Sequence, residues 1–191
     1  MLRRFFKRFQ SDDRANVLYG QIVAQARQPA FYAELGVPDT PEGRFDMIVL
    51  HVVLVMRRLR GEDARGRALA QALFDAFMAD MDRNLREMGT GDLSVPRRVR
   101  GMAEAFYGRA GVYDSAIDAN SAEGLQAALE RNLFAGRSGE RVADQADIDA
   151  MASYVLLCGE ALAATAGSDV MAAILTWPAV PSRMETATGE G

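Results

Sequence analysis

The sequence predicts an all-α protein: a single compact bundle of about six to eight helices, with an amphipathic N-terminal helix and a disordered C-terminal tail. Three observations lead there. Apolar residues recur at spacings of three and four along most of the chain, the period of a helix that buries one face. The periodic segments start at Ser, Thr or Asp and stop at Gly or Pro, as capped helices do. The chain has 191 residues, 49% of them hydrophobic and 25% charged, which is the size and composition of one soluble domain with a core of its own.

The elements follow in order. In MLRRFFKRF, Leu2, Phe5, Phe6 and Phe9 share one helical face, and Arg3, Arg4, Lys7 and Arg8 occupy the remainder. A large apolar face opposite a purely basic one suits the headgroup region of an anionic leaflet. The same face can instead pack on the domain, or the segment can be a short presequence. Residues 1–10 are therefore set apart as a basic amphipathic helix, 11–177 as the helical domain and 178–191 as the tail.

Ser11, with Asp12 and Asp13, reads as a helix start, and Pro29 as its stop. Residues 29–40 read as a connector. Thr40 and Pro41 then open a helix over 41–60 that is apolar nearly all round and so belongs at the centre of the bundle. Gly61 separates it from a helix over 63–88, which carries Leu69, Leu73, Phe77, Met81 and Leu85. Ser94 and Pro96 start another, running to about 117. Gly101, Gly108 and Gly111 lie inside it and predict a kink or a close approach. Ser121 begins a shorter helix, 135–143 is a polar loop, and Asp144–Thr165 is a long helix. Ser168 and Asp169 cap a last helix ending at Trp177.

The composition excludes much chemistry. One histidine, His51, and one cysteine, Cys158, cannot build a Cys/His zinc site or a disulfide. Lys7 is the only lysine and has no P-loop around it, and no nucleophile-elbow sequence is present. Asp80 and Asp82 are two apart on a helix and point in different directions, which disfavours a carboxylate pair. The expectation is a protein with no catalytic residues, no metal and no cofactor. Charge is unevenly placed: residues 1–109 hold 18 basic and 14 acidic side chains, residues 110–191 hold 4 and 12. The longest apolar run, 47–56, is about half the length of a membrane-spanning helix.

Three stretches taken together, FDMIVLHVVLVMRRLRG at 45–61, ALFDAFMADMDRNLREMGTG at 72–91 and FYGRAGVYDSAID at 106–118, resemble the ubiquinol–cytochrome c chaperone family. Leu50, His51, Arg58 and Leu59 carry the first match, Asp80 and Met81 the second, and Phe106, Gly108, Tyr113 and Asp114 the third.

The resemblance implies a non-catalytic assembly chaperone. It would bind newly synthesised cytochrome b and assist assembly of the ubiquinol–cytochrome c reductase (bc1) complex. Implied partners are nascent cytochrome b, the ribosome near its tunnel exit, an anionic membrane surface and a small partner protein. A bacterial member is expected, at the cytoplasmic, inner face of the membrane; a eukaryotic one would sit on the matrix side. The matched residues would either touch the client or fix helix register. In the second case His51, Asp80, Tyr113 and Asp114 would form one buried hydrogen-bonded network. The client surface is expected on helix 63–88 and its neighbour at 97–117. A general peripheral membrane scaffold and a quinone- or haem-binding helical protein are the competing readings, His51 being the one histidine able to ligate haem.

Overall fold

The structure is a computed structural model and describes residues 2–135 and 143–181, with side chains from Asp13 onward. Among the described residues it is all-α, with eight helices: α1 (Leu2–Ala26), α2 (Pro29–Ala33), α3 (Pro41–Arg60), α4 (Ala64–Glu87), α5 (Val95–Asp118), α6 (Ala122–Asn132), α7 (Gln145–Ala164) and α8 (Gly167–Met171).

α3 is the centre. Met47 through Val55 are all buried, as is Leu59, and the helix packs against α1, α4, α5 and α7. An all-round apolar surface can be covered only by neighbours on every side. Thr40 fixes where α3 begins: its side chain accepts from the Gly43 amide at 3.0 Å, with Pro41 in the first turn. Position 43 has to be glycine, because a Cβ there would stand 2.1 Å from the Pro38 carbonyl oxygen. α3 and α4 form an antiparallel hairpin, and Phe45 stacks on Phe77 near its open end. At the closed end Asp63 caps α4, accepting from the amides of Arg65 and Gly66 at 2.8 and 3.2 Å. A Cβ on Gly66 would meet the Leu59 carbonyl oxygen at 2.7 Å, so the tight turn depends on its absence.

The direction of α1 follows from two contacts. Tyr19 lies against Phe77 and bonds Asp80, level with the start of α3. Gln25, nearly two turns on, reaches Tyr154, which is bonded to His51 further along α3. α1 therefore runs with α3 and against α4. Its N-terminal end lies on the side of the bundle where the α4–α5 turn is found.

Four sequence expectations change. The start placed at Ser11 is absent, and α1 is one helix from Leu2. Ser and Asp cost only tenths of a kcal/mol inside a helix, less than nucleating a second one. Pro29 does end α1 but also opens α2 as its first residue, because a residue without an amide proton suits that place. The glycines of α5 neither break the helix nor admit a neighbour: a Cβ on Gly101, Gly108 or Gly111 would meet nothing within 4 Å. The last helix stops at Met171; Ala173 adopts φ 60°, and the chain continues without helix past Trp177. Most of the loop at 135–143, the tail beyond residue 181 and the side chains of residues 1–12 lie outside the described residues.

Candidate functional site

The last turn of α3 is basic, carrying Arg57, Arg58 and Arg60 where cations complement the negative end of the helix dipole. These three side chains organise a groove. Arg58 donates from Nε to the Leu162 carbonyl at 2.8 Å and from Nη2 to the Thr165 carbonyl at 3.0 Å, closing the end of α7, while Nη1 bonds Glu62 at 2.6 Å. Arg57 binds Asp118, and Arg60 binds Asp114 at 2.6 Å. The two aspartates are four residues apart on α5 and so face the same way. α6 packs against both α5 and α7, which come close where Gly159 faces Ile117.

Between α5 and α7, over α3, lies a cleft of about 660 Å³. Leu54, Leu162, Ala163 and Gly159 give it an apolar lining; Arg57, Arg60, Asp114 and Asp118 give it a rim carrying both signs of charge. A surface of this kind accepts an amphipathic segment. The walls of the groove are α3, α5 and α7. The exposed positions of α4 are chiefly charged or small, and the first large apolar side chain in the open after it is Met88.

A polar chain runs earlier along α3 and α7 than the groove. Gln25 donates to the Tyr154 hydroxyl at 2.9 Å, Tyr154 donates to His51 Nε2 at 2.9 Å, and His51 Nδ1 donates to the Met47 carbonyl at 2.8 Å. Met47 can only accept, which fixes the tautomer. Burial pulls the His51 imidazole down to about 4, against the opposing pull of the Met47 carbonyl, so the ring is neutral. Phe31 and Trp177 meet its faces edge-on, with centroids 5.7 and 5.2 Å away. Both ring nitrogens are engaged and the side chain is fully buried, so a haem would have to break this chain to reach it. Burial also pushes the Cys158 thiol up to about 12, leaving it protonated and unreactive.

A model of the family described as ubiquinol-cytochrome C chaperone matches residues 33–177. The chain belongs to the ubiquinol–cytochrome c chaperone family. Among its relatives, ubiquinol-cytochrome-c reductase complex assembly factor 1 of Xenopus laevis is 26% identical over 117 residues, 61% of this chain and 58% of that protein. The Mus musculus protein of the same name is 23% identical over 154 residues, 81% of this chain and 50% of that one. The chain thus spans about half the length of the curated relatives it matches. The crystal structure of the Cbp3 homolog from Brucella abortus superposes with a TM-score of 0.80 at 38% identity, covering 94% of this chain and 98% of that one.

Within this family frame the structure separates residues that the sequence grouped together. Arg58 and Asp114 meet at the groove. Leu59, Met81 and Phe106 are core residues, Phe106 among the rings of Phe74 and Phe77. The expected single network of His51, Asp80, Tyr113 and Asp114 does not form. His51 bonds Tyr154, while Asp80 accepts from Tyr19 at 2.7 Å and from Asn84, and pairs with Arg83. Asp114 pairs with Arg60. Tyr113 is buried, its hydroxyl held protonated first by burial and then by the field of Asp46. His51 ties α3 to α7, Asp80 ties α4 to α1 and Asp114 ties α5 to α3, so three of the four bond across different helix pairs.

Sequence reasoning missed Tyr154, Gln25 and the partly buried ion pair of Asp46 with Arg109, 2.9 Å apart. It also missed Arg57, Arg60 and Asp118, for which a signal existed: two acids four apart on one helix, and an arginine cluster ending another. The basic face of Arg3, Arg4, Lys7 and Arg8, and the apolar face of Leu2, Phe5, Phe6 and Phe9, lie on side chains outside those described. Among the described residues no helix is long and apolar enough to cross a membrane.

Proposed function

We propose that this chain is a non-catalytic assembly chaperone for ubiquinol–cytochrome c reductase. It holds an amphipathic segment of newly made cytochrome b in the groove between α5 and α7. The observation that carries this reading is the groove itself, apolar within, charged at its rim, and lined by the family-matched Arg58 and Asp114. Family membership supports a client among the components of ubiquinol–cytochrome c reductase, and the groove offers a surface of suitable character for it. A cleft of about 660 Å³ takes a few side chains of one segment and releases them without a chemical step. The chain works at the inner, cytoplasmic face of the membrane near the ribosomal exit, held there by its basic amphipathic start.

The test fills the groove. Ala163 is exposed on α7, and Ala163→Trp places an indole in the cleft without entering the core. Capture of cytochrome b segments and the cellular level of the reductase are both expected to fall while the helical circular dichroism spectrum is unchanged. Full capture and normal reductase levels in this variant refute the reading. Deleting residues 1–10 separates it from a general peripheral scaffold, since the chaperone keeps its affinity for the client and the scaffold loses all activity.

A further inference from the structure

The turn between α4 and α5 combines large exposed apolar tips with a cluster of unpaired arginines. Leu93 is 101% exposed and Met88 66%, the two most exposed large apolar side chains described. Both sit on a formed turn. Leu85 and Val95 anchor its two ends in the interior, the Thr90 amide donates to the Leu85 carbonyl at 3.0 Å, and the Ser94 hydroxyl donates to the Gly91 carbonyl at 2.8 Å. The apolar tips are therefore presented by a fixed frame.

Beside them, the first two turns of α5 hold Arg97, Arg98 and Arg100, all exposed. No acidic residue stands in the first turn of α5, and no acidic side chain among the described residues pairs with these three. Cations at a helix start oppose the dipole there, so this clustering is unfavourable until an anionic partner arrives. Of the acids nearby, Asp92 and Asp82 are paired with Arg86, and Glu87 is exposed. Elsewhere Arg44, Arg60, Arg65, Arg83 and Arg86 have carboxylate partners, and the exposed arginines without one, Arg14, Arg27, Arg67 and Arg131, do not form a cluster of three within four residues.

We propose that the α4–α5 turn is a second membrane-contact surface, lodging Met88 and Leu93 among the headgroups of an anionic bilayer while Arg97, Arg98 and Arg100 engage lipid phosphates. Apolar tips ringed by unpaired arginines match the two layers of such a surface, hydrocarbon below and phosphate above. The direction of α1 supports the choice of partner. Its basic amphipathic end and this turn lie at the same end of the bundle, so one sheet of lipid meets both. This inference rests on the membrane-peripheral part of the reading above and extends it to a surface on the folded domain.

The test is flotation of the full chain with phosphatidylcholine vesicles, with and without an equimolar share of phosphatidylglycerol. Met88→Asp with Leu93→Asp, and separately Arg97→Gln with Arg98→Gln and Arg100→Gln, are each expected to reduce partition onto the anionic vesicles by about tenfold, with helical content unchanged. All these side chains are exposed, so folding is spared. A polarity-sensitive fluorophore on Leu93→Cys should shift to the blue with anionic vesicles only; Cys158 is buried and takes no label. Unchanged partition of both variants, or no spectral shift, overturns the proposal. So does a loss of RNA or client binding with vesicle binding intact, which gives the turn to another partner. Deleting residues 1–10 reads the terminal helix separately. If that deletion has no effect while the turn variants fail to bind, the terminal anchor is refuted and the turn upheld.

Discussion

The hydroxyl of Tyr154 donates to Nε2 of His51 across 2.9 Å, joining α7 to α3 over 103 residues of sequence. The same oxygen accepts from Gln25, so one phenol ties α1, α3 and α7 together. Tyr154→Phe keeps the ring and removes both bonds, leaving Nε2 of a buried imidazole and an amide group without a partner. A loss of about 2–4 kcal/mol is expected, read as a lower denaturant midpoint with an unchanged slope.

His51 also sets a pH dependence. Its pKa is depressed in the folded protein, to about 4 from the ordinary 6.5. The unfolded chain therefore takes up a proton between those values and the folded one does not. The contribution to stability is present above pH 6.5 and is lost as pH falls through the folded value near 4, by about 3 kcal/mol in all. Urea titrations of wild type and His51→Gln between pH 7 and 4 test this. The difference in stability between the two should shrink as the solution is acidified.

Arg109 and Asp46 form a pair whose side chains are 21% and 13% exposed. Burial pushes the Asp46 carboxyl up to about 7, and the guanidinium opposes it. Arg109→Ala removes the charge that opposes burial, so Asp46 takes up a proton at neutral pH and the expected cost is about 1–3 kcal/mol. Asp46→Asn in the same chain should recover part of that loss, which a double-mutant cycle measures.

Two glycine substitutions should act in opposite directions. Gly66→Ala drives a methyl against the Leu59 carbonyl and Glu62 Cβ, with a destabilisation of about 2 kcal/mol or more. Gly108→Ala enters open space in the middle of α5 and should raise stability by about 0.5–1 kcal/mol. Thermal melting distinguishes the two signs directly.

Much of the fold was legible in local signals. Thr40, Pro41 and Gly61 bracket α3 because caps and breakers act within one turn of themselves, and Ser121 does the same for α6. Where a local signal competed with the continuity of a helix, as at Ser11, continuity prevailed. The groove was less legible. Arg57 meets Asp118 across 61 residues and Arg58 meets Leu162 across 104, distances over which a spacing rule says nothing. His51 stands out in the sequence but its partner does not, and only the packing of α3 on α7 makes Tyr154 its donor.

The continuity of α1 has a mechanical consequence. Twenty-five residues of helix form a rod about 37 Å long, the later half of which is wedged against α3 and α4. Whatever grips the start of the rod cannot swivel independently of the body, as it would on a loose leash. A hold on the start of that helix would orient the entire molecule and thereby set the direction in which its cleft opens.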